Sequence, residues 1–269
     1  MMPPLPPTFP TLCRQWRKLR KFSQLDLALV AGVSQRHVSW LETGRSQPSR
    51  AMIVRLSEAM EIPLRDRNVL LQAAGYAATY FETALEEPMM APILEVLNQV
   101  LQNHEPLPAV VVDRVWTLKK ANRAAELLFS LGGDPQALLD TIGANGEFNL
   151  ALLTLHPQGL RPYITNWEQI APSLVRRLRN EALVSHDPTL QQRFSEYIAL
   201  AEPIEETPLS TPGLLPVLPL ALNFHGLELS LFSVISSFGT PQDITADELR
   251  IETFYPMNAQ TEQFFRRSP

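Results

Sequence analysis

SQLDLALVAGVSQRHVSWLETG, Ser23 to Gly44, is punctuated for two short helices joined by a tight turn. Ser23 and Ser34 stand where a hydroxyl accepts an orphan N–H from a first helical turn, Gly32 interrupts between them, and Gly44 ends the second run. Leu27, Ala28, Ala31, Val33, Val38 and Leu41 are small or apolar at positions that let the helices cross closely. The second helix then presents Gln35, Arg36, Ser39 and Trp40 on its outer face, with lengths and chemistry that reach base edges and phosphates. The same side chains also suit a plain solvated face, but the motif around them favours base contact.

Helical patterns continue on both sides of this stretch. Phe9, Leu12, Trp16 and Leu19 recur at helical spacing behind Pro10; Pro48 and Ser49 open a helix to about Met60, and Pro63 one to about Ala74. The expected N-terminal domain is therefore all-helical, with five helices over 11–76, preceded by a proline-rich segment, 1–10. Between Thr11 and Tyr76 stand 11 Lys/Arg and 5 Asp/Glu, whereas from Ala77 onward there are 12 and 23. Only the basic segment is suited to approach a polyanion, nucleic acid or anionic membrane. Arg45 and Gln47, just beyond the second helix, are expected beside a DNA backbone, adding affinity without sequence information; an exposed polar loop is the plain alternative.

A connector over 77–105, with a helix around Pro92 to Leu101, leads to a second domain, 106–269. Ala109 to Asn122 reads as a hairpin around Asp113-Arg114, followed by a helix from Ala121 to Ser130. Trp167, Ile170, Leu174 and Leu178 share an apolar helical face, with Asn166 and Gln169 fit to cap its start and Pro172 to bend it. After a proline-rich loop, Pro203 to Pro212, alternation from Leu218 to Leu231 about His225-Gly226 gives a second hairpin, and Leu249 to Tyr255 a last strand before a helical terminus. This order predicts an α+β domain whose antiparallel sheet carries its helices on one face.

The Ser23–Gly44 stretch resembles the helix-turn-helix of phage-repressor and xenobiotic-response-element (XRE) type regulators over roughly 14–76. The resemblance is carried by Arg17 seven residues before Gln24, Leu27-Ala28, Ala31-Gly32-Val33-Ser34, and Leu41-Glu42 followed by Gly44 and Pro48. It implies a structural ion pair between Arg17 and Glu42, a backbone phosphate contact from Gln24, and base contacts from Gln35, Arg36 and Trp40; Ser34 and Ser39 are further candidates for backbone contacts. Trp40 departs from the usual polar residue; packing on a sugar, on a thymine methyl or on the second domain remain open.

VVVDRVWTLKKANRAAELLF, Val110 to Phe129, resembles the start of a PAS-type sensor domain. Together with the stretches Phe148 to Arg179 and Leu227 to Pro256 it is similar to the MmyB-like ligand-binding domain. The resemblance implies a PAS-like sheet enclosing an apolar pocket for a fatty-acid-like or other hydrophobic small molecule. Candidate walls are Phe129, Leu153, Trp167 and Leu174 with Phe194, Leu222 and Phe232, residues that equally suit an ordinary core. His156, Arg161 and Tyr163 cluster in a loop-like stretch able to fix an acidic head group by charge-assisted hydrogen bonds.

What is missing sharpens these expectations. No phosphate loop, HExxH or nucleophile elbow is present, and the histidines at 37, 104, 156, 186 and 225 have no ligand-like spacing, so neither catalysis nor a bound cofactor is expected. Cys13 is the single cysteine, which excludes zinc-finger spacing and an internal disulfide. A haem or metal sensor using His156 or His225 is a lesser alternative. With no long apolar run and no secretory start, a cytoplasmic protein without membrane attachment is expected. Its expected partners are double-stranded DNA, a hydrophobic small molecule and a second copy of itself; a rival gives the second domain a protein-interaction role without a ligand.

Overall fold

The structure, a computed structural model, describes residues 7–144, 146–185, 187–204 and 217–267. Most of the proline-rich start, His186, and most of the loop expected at Pro203–Pro212 lie outside the described residues. Contacts divide the chain into two compact units, one of Met1–Thr83 with Thr240–Asp247 and one of Ala84–Gly239 with Glu248–Pro269.

In the first unit five helices follow in close succession: α1 (Phe9–Leu19), α2 (Gln24–Ala31), α3 (Gln35–Glu42), α4 (Arg50–Ala59) and α5 (Leu64–Ala73). Ser23 and Asp26 form a reciprocal capping box on α2, while Ser34 and Ser49 accept N–H groups from the first turns of α3 and α4. Gly32 takes φ 62° at the turn, where a side chain is strained and a Cβ would stand 3.1 Å from the Arg55 guanidinium. Trp16, Leu27, Leu41, Ile53 and Leu71 close the core.

Helix α5 begins behind Pro63, which offers no side-chain cap. Asp247 supplies it from far along the chain, its carboxylate accepting the Leu64 N–H at 2.9 Å. Asp243 accepts the Thr83 hydroxyl at 2.7 Å, and the Ile244 N–H reaches the Phe81 carbonyl at 2.8 Å. These bonds extend the unit past the 11–76 expected from helical punctuation. A segment lying between two strands of the second unit thus satisfies backbone groups of the helical one.

The second unit contains α6 (Ala91–Asn103), β1 (Ala109–Val112), β2 (Leu118–Ala121), α7 (Arg123–Ser130), α8 (Pro135–Thr141), α9 (Leu150–Leu155), α10 (Trp167–Val184) and α11 (Pro188–Ala201). Next come β3 (Leu220–Phe224), β4 (Leu227–Ser236), α12 (Ile244–Glu248), which straddles the division, β5 (Arg250–Pro256) and α13 (Ala259–Arg267). The strands form one antiparallel sheet in the order β2-β1-β5-β4-β3. His225 and Gly226 both adopt positive φ, 53° and 99°, the primed geometry that suits a two-residue hairpin turn.

Helices occupy both faces of the sheet, not one. All four residues of β1 are buried, which a strand covered on a single face does not allow. Val110 and Val112 join the cluster of Phe129, Leu178 and Phe194, while Ala109 and Val111 point the other way. On that other side α6 approaches: the Asn122 amide donates to the Leu101 carbonyl, and the His104 ring meets Tyr255 edge-on. Asn122 also caps α7, accepting from Ala125 N. Asn166 makes no cap on α10 and instead pins β3, accepting from Ala221 N and donating to the Pro219 carbonyl. An edge strand leaves such groups unpaired, and an amide offers both partners at once. The helix α10 runs unbroken through Pro172.

The apolar interior of this unit forms two clusters. One gathers Phe129, Leu155, Leu178 and Phe194; the other gathers Leu128, Ile164, Leu222, Phe224 and Leu231.

Candidate functional site

At the helix crossing of the first unit, Arg17 grips Glu42 with two parallel bonds, Nε to Oε1 at 2.6 Å and Nη2 to Oε2 at 2.9 Å. Its remaining nitrogen donates to the Phe22 carbonyl at 2.8 Å, and Arg14 donates to the Glu42 carbonyl at 2.7 Å. Burial alone would raise the Glu42 pKa, but the bonds from Arg17 and Gln24 and the nearby positive charge outweigh it and hold the carboxyl below its ordinary value. A fully satisfied buried pair fixes the angle between α1 and α3 and leaves neither partner free for DNA. Gln24 belongs to this network, its amide donating to Glu42 at 2.8 Å. Neighbouring Cys13 is a buried thiol whose pKa burial and Glu42 push up to about 12, so it supplies no nucleophile.

With α3 anchored from behind by Val38, Leu41 and Glu42, its opposite face is open. Gln35 and Arg36 are exposed, Ser39 is half-buried, and Arg45 and Gln47 are exposed just past the helix. Ser34 uses its oxygen to cap the helix. Trp40 is 36% exposed and carries the Arg36 guanidinium 4.4 Å from its ring centroid. The stack stiffens a long cation whose fork suits guanine or phosphate. It also gives this unusual tryptophan a local role.

In the second unit the two apolar clusters fail to close on each other, leaving between them a cavity of about 350 Å³. Four residues expected from the sequence border it: Phe129, Leu174, Leu222 and Phe232. Strand alternation turns the Phe232 ring to the far face of β4, where it stacks on Tyr255 at 5.3 Å. Leu153 and Phe194 lie in the closed core instead.

The expected head-group cluster does not assemble at the cavity. Arg161 donates to the Leu200 carbonyl and stacks 4.5 Å from the Trp167 centroid. Tyr163 donates to the Gly132 carbonyl and packs on Phe224, so it supports the wall from behind. The His156 Nδ1 accepts from Gln158 N, and burial lowers its pKa, which disfavours the cation that would pair with an anion. His225 occupies the hairpin turn. Among the described residues no group of three or more His, Cys, Asp or Glu could hold a metal ion, and no helix is long and apolar enough to cross a membrane.

The polar lining comes from residues the sequence reading passed over. Arg177 on α10, Ser233 on β4 and Glu252 on β5 all border the cavity. Glu252 is buried in mid-sheet, paired with Val110 and Ile235; burial raises its pKa, opposed by the Ser233 hydroxyl bonded to it and by the field of Arg177. Beside them Glu181 accepts the Trp116 indole N–H at 2.9 Å, and burial raises its pKa as well. An acid alternating with apolar residues in Arg250–Pro256 reads as solvent-facing, so no local signal distinguishes it.

Comparison with protein families matches residues 14–66 to a helix-turn-helix model and residues 94–267 to the ligand-binding domain of MmyB-like transcription regulators. No curated protein matches the chain. The second match covers more than half of the chain, and the first coincides with the helices around the Arg17–Glu42 pair. The chain belongs to the MmyB-like transcription regulators, with a DNA-binding helix-turn-helix ahead of a ligand-binding domain.

Proposed function

We propose that this regulator binds a specific operator as a homodimer in the cytoplasm, and that a hydrophobic, fatty-acid-like molecule in its second unit sets its DNA affinity. The cavity between the two core clusters carries this reading: it is large enough for a small ligand and lined mainly by leucine, isoleucine and phenylalanine. Sequence reading falls to Gln35 and Arg36, with Trp40 holding Arg36 in place; Arg45, Gln47, Ser34, Ser39 and the remaining capacity of Gln24 serve the backbone. Two copies are needed because one short recognition helix spans few base pairs, and a two-fold pair places two such helices about 34 Å apart. The protein acts as a switch, not a catalyst.

Native mass spectrometry of the purified full chain tests the ligand. A co-purifying mass of a few hundred daltons, or a rise in melting temperature with long-chain acids, supports the sensor. Absence of both favours a protein-interaction role for the second unit.

A further inference from the structure

Among the described residues, Glu252 and Arg177 are the ionisable residues lining the cavity, close enough for the Arg177 charge to act on the Glu252 carboxyl. Glu252 sits on β5 level with Ile235 of β4, and Ser233 is its diagonal neighbour on the same sheet face. Leu222 on edge strand β3 is level with Leu229, six residues further back along β4, so the wall runs roughly 20 Å from the glutamate to the apolar end. The ionisable pair therefore stands at one end of a long, mainly apolar wall. Thr154 and Ser173 also line the cavity.

Resting on the ligand-sensing reading above, we propose that Arg177, Ser233 and Glu252 form the head-group end of the cavity and that they hold a ligand's single carboxylate, its alkyl chain running toward Leu222 and Phe224. No ion pair forms at Glu252 among the described residues: Arg177 reaches it only by its field, and its guanidinium lies 5.5 Å from the Trp116 centroid. Both groups thus retain hydrogen-bonding capacity toward the cavity. Burial favours the protonated form of Glu252, which donates an O–H to an anion just as Arg177 donates its N–H groups. A cationic head would face Arg177 with like charge, and an alcohol would bring no charge to meet it. A carboxylate answers both groups at once.

Calorimetric titration of ligand-free full-length protein with dodecanoate, dodecanol and dodecylamine tests the assignment. Dodecanoate is expected to bind about tenfold or more tighter than the alcohol. Arg177→Gln should abolish that advantage, lowering dodecanoate affinity far more than dodecanol affinity. Glu252→Gln, which keeps a donor, should retain most of it, and Glu252→Leu should not. Equal binding of all three heads, or a preference for the amine, overturns the head-group assignment while leaving the apolar cavity as a ligand site. Binding of none of them removes the sensor reading, and this assignment with it.

Discussion

Each unit buries a glutamate, and their surroundings are opposite. Glu42 is clasped by two Arg17 nitrogens and the Gln24 amide, whereas Glu252 has one serine hydroxyl, an arginine that acts on it only through its field, and open space. The first carboxylate is held below its ordinary pKa and the second above it. A buried acid whose bonding capacity is filled by neighbouring side chains is scaffold. One with capacity to spare beside a cavity is equipped to meet something else.

The largest expected effect is on the scaffold. Arg17→Ala leaves Glu42 buried with its main partner gone and should lower the stability of the first unit by about 3–5 kcal/mol, read from chemical denaturation. Glu252→Leu should do the reverse in ligand-free protein, neutral to stabilising by about 2 kcal/mol, because it removes a poorly compensated buried acid. If both substitutions cost the same, the contrast between the two glutamates is wrong.

The pH dependence follows the two signs. Glu42, depressed in the folded state, contributes stability that is complete above its ordinary value of 4.5 and lost as pH falls through the depressed one. Glu252, raised in the folded state, contributes stability that is complete below that value and lost as pH rises through the raised one. Stability profiles from acid to neutral pH should therefore shift in opposite directions for Glu42→Gln and Glu252→Gln; parallel shifts would remove the distinction.

How far the sequence shows this contrast depends on whether neighbours in space are neighbours in the chain. Ser23, Gly32, Ser34 and Gly44 punctuate their own helices, so the helix-turn-helix is legible from one stretch. His225-Gly226 likewise fixes its hairpin locally. The cavity pole joins Arg177 to Ser233 and Glu252 across three elements, and proximity in sequence pointed instead to His156, Arg161 and Tyr163, which bond to their own loops and core. Asn166 was misread for the same reason, because its partners lie on β3.

On the DNA-facing side, Arg36→Ala should weaken operator binding by about 1–3 kcal/mol and relax sequence preference. An equal loss on operator and random DNA, compared by gel shift, would reassign Arg36 to the backbone. A smaller effect is expected from Asp247→Ala, which uncaps α5 and should destabilise the first unit by about 1 kcal/mol in thermal denaturation. An unchanged melting temperature would show that the Thr240–Asp247 segment contributes little to the helical unit.

The most direct test of ligand-controlled DNA binding is a pair of affinities. DNA selected by this protein from a random pool is titrated with ligand-free protein and with protein saturated by a long-chain carboxylate. The account predicts a difference of about fivefold or more, in either direction, that disappears in a variant unable to bind the ligand. Identical affinities with the ligand demonstrably bound would contradict it.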